Sequence, residues 1–131
     1  GSHKTSLGAF FARETYHGGN GYSLRLDGLE PGINDNARER LIVVHGADYV
    51  NESLARATGR LGRSYGCPAV RRSVARPLID AIRGDGFVFA YYPDDAWLRS
   101  SHLLDDCGHG QATMPAQVLA LRARRALAAV H

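Results

Sequence analysis

Two residue types in this chain have the chemistry to make and break an acyl bond, a thiol at Cys67 and an imidazole at His45. Cys67 lies in Arg63-Ser64-Tyr65-Gly66-Cys67-Pro68, a glycine-containing turn just before a segment of helical pattern. Backbone N–H groups and helix N-termini stabilise a thiolate, and a nucleophile must be exposed to meet its substrate, so a reactive cysteine belongs in such a turn. Gly62 and Gly66 let the backbone approach a ligand closely, and the N–H groups around Gly66 and Cys67 can point at one oxygen, as an oxyanion hole requires. His45-Gly46 closes the apolar run Leu41 to Val44. Imidazole titrates near neutral pH, so it can take a thiol proton and later protonate a leaving amine. Taken singly, each residue also has a structural reading: the cysteine as a small buried hydrophobe, the histidine as a satisfied side chain at the edge of a core.

The elements that must hold this pair are strands in the first half of the chain. Leu7 to Ala12 is an apolar run, and Tyr22 to Leu26 alternates with period 2, as a half-buried strand does. Gly18-Gly19-Asn20-Gly21 between them predicts a hairpin turn. Glu30-Pro31-Gly32 is a further turn, and Asn34 to Arg40 has the length of one or two helical turns. Leu41 to Val44 then reads as a buried strand that delivers His45 at its end. Asn51 is a candidate N-cap for a helix that Gly59 ends. A second helix is expected over Ser73 to Arg83, with Val74, Leu78, Ile79 and Ile82 on one face, Gly84 as its terminator and Pro77 tolerated only near its first turn. Phe87 to Tyr92 reads as another buried strand. This order contains no repeating βαβ unit, so the fold class is mainly β with short helices, an α+β arrangement. Asp95 to Gln111 is polar and irregular, and an amphipathic helix starts near Thr113 and Pro115, with Leu119, Ala123, Ala126, Leu127 and Val130 on its apolar face, packing on the body of the domain.

Composition narrows the function classes. At 131 residues the chain has room for one compact core, and 44% hydrophobic against 22% charged residues excludes a disordered chain. No apolar run approaches the roughly 20 residues of a membrane-spanning helix. The net charge is +3 and the pI near 9.1, but the arginines are scattered and form no nucleic-acid-binding block. Two cysteines at unlike positions make no disulfide framework, so Cys67 and Cys107 are expected to stay unpaired. His102, Cys107 and His109 are ligand types close together, but without a C-x-x-C pair they make a weak zinc site. Residues 1–3 are assigned no function, and no secretory leader precedes the first strand-like segment.

Three segments, Tyr22 to Gly32, Ile42 to Tyr49 and Gly59 to Val70, closely resemble the murein L,D-transpeptidase catalytic-domain family, a branch of the YkuD-like L,D-transpeptidases. The paired His-Gly and Ser-x-Gly-Cys elements, in this order, carry the resemblance, which covers about residues 4 to 94. It implies a catalytic domain over residues 1–94 of YkuD-like β-sheet fold, with residues 95–131 as a C-terminal extension. It also implies a periplasmic or cell-envelope location, reached by a leader outside this chain, and peptidoglycan stem peptides as substrate. Residue by residue, Cys67 matches the nucleophile, His45 the base, Gly46 the neighbour whose carbonyl orients the imidazole, and Ser64 and Gly66 the small positions before the cysteine. This chain departs from most relatives in three ways. Tyr65 stands where they have His, Ala69 stands where they have Arg or Asn, and His45 and Cys67 are 22 positions apart, a wider spacing than usual.

The implied reaction is acyl transfer through a thioester on Cys67, with no metal or organic cofactor. An amine acceptor gives an L,D-transpeptidase and water an L,D-carboxypeptidase, while a muropeptide-binding module without turnover is the third alternative. Arg63 or Arg71 is expected to grip the substrate's carboxylates in place of the residue missing at Ala69, with Tyr22 as a further substrate-binding candidate. The His45 imidazole is expected within hydrogen-bond reach of the Cys67 sulfur, or somewhat looser. Oligomeric state is not legible in the sequence.

Overall fold

The computed structural model of the chain describes residues 4–62 and 64–105. Its centre is a five-stranded sheet in the order β4-β3-β2-β1-β5, mixed with short helices as the α+β reading expects. Strands β1 (Gly8–Gly18) and β2 (Gly21–Gly28) form the expected antiparallel hairpin, closed by Gly19 and Asn20. A register shift between Ala12 and Thr15 marks a bulge in β1. Alternation along the strands sends Phe10, Ala12, Leu24 and Leu26 into the core beside Ile42, Val44 and Ile79. The opposite face of the hairpin carries charge: Arg13 bonds Asp27 at 2.7 Å and Asp85 at 3.0 Å, and Arg38 bonds both Asp27 and Glu14.

Strand β3 (Val43–Gly46) pairs antiparallel with β2, placing His45 opposite Ser23. Leu41 does not join it as expected. With φ 56° and 63% exposure, it belongs to the turn that follows the short 3-10 segment Asp35–Ala37. Helix α1 (Glu52–Thr58) is capped as its sequence predicts: the Asn51 side chain accepts the Leu54 N–H at 2.7 Å, and Gly59 is left-handed. The two-residue strand β4 (Ala69–Val70) runs parallel to β3, with Ala69 beside His45 and Val70 beside Gly46.

Helix α2 (Arg72–Ile82) covers the core face of β2 and β3. Its buried residues are Ala75 and Ile79, with Ile82 partly buried. Val74 and Leu78, expected inward, are 41% and 37% exposed, because the stripe that meets the sheet runs through Ala75 and Ile79. Pro77 lies past the first turn on the exposed side, where water can satisfy the carbonyl whose helical donor the ring removes.

Strand β5 (Phe87–Ala90) pairs with β1 at the sheet edge and is not the buried strand expected, since Phe87 and Phe89 are each 52% exposed. The stretch after it is also more regular than expected, forming α3 (Asp95–Ser100) and α4 (His102–Asp105). Asp94 caps α3 by accepting the Trp97 N–H at 2.9 Å. The buried Trp97 packs on Phe89 and Tyr91, with ring centroids 6.1 Å and 5.8 Å away. Ser101 donates to the buried Glu30 carboxylate, which also accepts the Ala9 N–H, so residues 95–101 are tied to the hairpin. The expected C-terminal helix, Cys107, His109 and Arg63 lie outside the described residues.

Candidate active site

Sheet pairing brings the segments of the two candidate residues, Cys67 and His45, to one edge. Because β4 runs parallel to β3, the end of the cysteine turn lies beside the histidine, whose backbone N–H donates to the Pro68 carbonyl at 3.2 Å. His45 is buried, and its Nδ1 is 3.1 Å from the carbonyl oxygen of the adjacent Gly46. A carbonyl only accepts, so this contact puts the proton on Nδ1 and leaves Nε2 of the neutral ring as the acceptor. Gly46 has a second constraint: a Cβ there would lie 3.0 Å from the Ala75 Cβ and 3.2 Å from the Arg72 Cα. Its lack of a side chain lets α2 sit directly on the end of β3.

The turn before β4 is held by its own side chain. Ser64 Oγ donates to the Cys67 carbonyl at 2.6 Å and accepts the Gly66 N–H at 3.3 Å, bracing the turn on both sides of its bend. Gly66 has φ 103°, and a Cβ would lie 2.9 Å from the Lys4 carbonyl oxygen, so both conformation and space demand glycine. Cys67 is a partly exposed free thiol packed against the core cluster. Its Sγ donates to the Leu41 carbonyl at 3.6 Å, the residue that the strand reading had assigned to β3. Tyr65 is 81% exposed at the tip of the turn.

The remaining candidates lie at different distances in the fold. Arg71 immediately follows β4 at the start of α2, and its guanidinium is 3.5 Å from Glu52 of α1. Tyr22 packs against the core cluster, with its hydroxyl donating to Asp80 at 2.6 Å and the Arg76 guanidinium 4.4 Å from its ring centroid. Those contacts tie it to the outer face of α2. His102 is exposed on α4, and no group of three or more potential metal ligands occurs among the described residues.

Two residues that sequence reasoning left out line the same region. Arg72 bonds Asp48, joining the start of α2 to the loop after Gly46 and holding the Asp48 carboxyl below its ordinary range. Tyr49 follows in that loop. Burial and then the nearby Cys67 push its hydroxyl above the usual tyrosine range, against an opposing contact with Ser64. Tyr49 was visible within the His-Gly segment, but a lone tyrosine carries no spacing signal.

The sequence matches the YkuD_2 family, described as an L,D-transpeptidase catalytic domain, over residues 1–91. No curated protein and no solved structure matches the chain. The matched span contains the whole five-stranded sheet together with Cys67 and His45.

Proposed function

The chain belongs to the L,D-transpeptidase catalytic-domain family, and on that premise we propose that it is a cysteine-dependent L,D-transpeptidase acting on peptidoglycan tetrapeptide stems in the cell envelope. The observation that carries the cysteine mechanism is the β3–β4 pairing, which sets the Cys67 turn against a histidine whose Nδ1 is already engaged by Gly46.

His45 Nε2 takes the Cys67 proton. The resulting thiolate has nothing left to donate to the Leu41 carbonyl and is repelled by its oxygen, so ionisation itself releases the sulfur from its resting contact. The thiolate attacks the amide carbonyl at the L-centre of the third stem residue, and backbone N–H groups near Gly66 and Cys67 hold the oxyanion. Collapse breaks the C–N bond, His45 returns the proton to the departing D-alanine amine, and a thioester remains on Cys67. An amine of a second stem resolves the thioester to a new amide, or water resolves it to an acid. Ser64 acts by keeping the turn in shape, and Arg71 supplies positive charge for a substrate carboxylate beside the nucleophile, with Arg63 the alternative supplier.

No helix among the described residues is long and apolar enough to cross a membrane, so envelope placement rests on the family and its substrate. The test is incubation with defined disaccharide tetrapeptides and mass analysis of products. D-Alanine release with cross-linked dimers supports transpeptidation, and release with tripeptide alone supports the carboxypeptidase outcome. Binding without any release would replace both with a muropeptide-binding module.

A further inference from the structure

We propose that the exposed aromatic face of β5 is the docking surface for the chain's own C-terminal segment, residues 106–131, which thereby closes the sheet edge opposite the Cys67 turn. Strand β5 is the outer strand at one end of the sheet, as β4 is at the other. Its inward residues, Val88 and Ala90, pack on the core, while Phe87 and Phe89 point away from it. Helix α3 covers part of that outer face by laying Trp97 on Phe89 and Tyr91. Even so, Phe89 remains 52% exposed, Tyr91 61% and the adjoining Tyr92 65%. An apolar edge strand left open in this way is a template for pairing with other chains, and proteins commonly blunt such edges with a helix or a loop. The indole N–H of Trp97, buried without an acceptor among the described residues, marks the same place as incompletely partnered.

The chain itself continues from this place. Helix α3 is pinned by Trp97 to the aromatics of β5, and the Ser101 hydroxyl that follows it donates to the buried Glu30 carboxylate. Helix α4 then ends at Asp105, so residues 106–131 start within a few residues of these anchors. An extended chain from Asp105 to Thr113 reaches roughly 25 Å, enough to run back along the strand. Leu119, Ala123, Ala126, Leu127 and Val130 recur at helical spacing. As a helix, that stripe is about 16 Å long, against about 13 Å for the four residues of β5. Charge matches as well: Asp94 and Asp95 are exposed at the rim between Tyr92 and Trp97, and the segment carries Arg122, Arg124 and Arg125 outside its apolar stripe. Tethering holds the segment near the face at a local concentration of roughly millimolar order, which favours it over a second molecule for the same surface.

The experiment places the photo-crosslinking residue p-benzoylphenylalanine in place of Phe89 in the full chain, irradiates it, and maps the products by peptide mass analysis. Cross-links from position 89 into residues 106–131 of the same molecule are expected. The same probe in place of Tyr65, in the turn before the opposite edge strand, should give none. Leu119→Asp/Leu127→Asp should lose the cross-link from position 89 and shift the emission of Trp97, the sole tryptophan, to longer wavelength. A thermal melt shows that this double variant folds, and the wild-type segment with the probe at position 89 tests the docking without it. Links from position 89 that join two molecules, or that go only to added peptidoglycan, would give the face to those occupants and overturn the proposal. So would the absence of any link into residues 106–131, equal links from positions 65 and 89, or a cross-link that survives Leu119→Asp/Leu127→Asp. None of these readouts depends on catalysis, so their failure leaves the acyl-transfer reading where it stands.

Discussion

The β1–β2 hairpin and the β3–β4 edge belong to one sheet, yet they are held by different means. The hairpin has a long antiparallel register from Phe10–Gly28 to Gly18–Gly21, apolar residues on one face and a lattice of arginines and carboxylates on the other. The β3–β4 edge has a parallel register of only His45–Ala69 and Gly46–Val70. Its geometry depends on local devices: the Ser64 hydroxyl, the left-handed Gly66, the imidazole bond to Gly46 and the Arg72–Asp48 pair. A scaffold can be fixed by repetition, because each added rung reinforces the same register. A reactive turn must keep its thiol and N–H groups available to substrate, so few of them can be used for pairing, and single side chains have to substitute. Damage at the hairpin should therefore appear as lost stability, and damage at the edge as lost turnover.

The largest expected effect is the loss of the thiol. Cys67→Ala should remove turnover by several orders of magnitude while changing stability by no more than about 1 kcal/mol, since the side chain is small and only partly buried. Turnover assays and thermal melts of the same preparation measure both sides. A sharper contrast comes from two glycines. In Gly28→Ala the new Cβ would meet the Asn34 carbonyl oxygen at 1.8 Å, so stability should fall by about 1–3 kcal/mol with kcat retained in the folded fraction. Gly66→Ala forces an L-residue into φ 103° inside the Cys67 turn and, if that turn carries the nucleophile, should lower kcat at least about tenfold. An exchange of these two outcomes would break the distinction between scaffold and edge.

Arg71→Lys keeps the charge but loses the planar fork that grips a carboxylate, so kcat/KM for tetrapeptide stems should drop roughly tenfold. Equal kinetics would return Arg71 to its surface pairing with Glu52. The smallest effect belongs to the hairpin lattice. The Arg38 hydrogen bond, with help from Arg25, lowers the Glu14 carboxyl from 4.5 to about 2. The folded pKa is depressed, so this pair stabilises fully above about pH 4.5 and loses its contribution as pH falls toward 2. Glu14 and Arg38 are about half exposed, at 54% and 44%, so solvent screening keeps the effect below about 1 kcal/mol. Acid melts of wild type and Arg38→Gln should be separate above about pH 5 and draw together as pH falls toward about 2.

How much of each region was legible follows from the same difference. Alternation through Tyr22 to Leu26 and the glycine-asparagine turn fix the hairpin, because repeated patterns and tight turns are local signals. The Asn51 cap and Gly59 terminator were legible for the same reason. Strand β4 was not, since two residues have no period and parallel pairing is a long-range event. The exposed aromatics of β5 misled because an apolar run looks alike at an edge and in a core. Leu41 misled because its apolar side chain continues the strand pattern while its backbone turns away. At the candidate site, Cys67 and His45 stood out by residue type and motif, while the pairing that puts their segments side by side comes only from the fold. Ser64 acquires its bracing geometry only from the folded turn.

The central claim is that Cys67 is the nucleophile of this edge, and covalent capture by a carbapenem tests it most directly, since a thiolate attacks a strained lactam carbonyl as it attacks a peptide. Intact-protein mass analysis with peptide mapping should find a single adduct on Cys67 in the wild type, an equal adduct in Cys107→Ala and none in Cys67→Ala. An adduct that persists in Cys67→Ala would contradict the account.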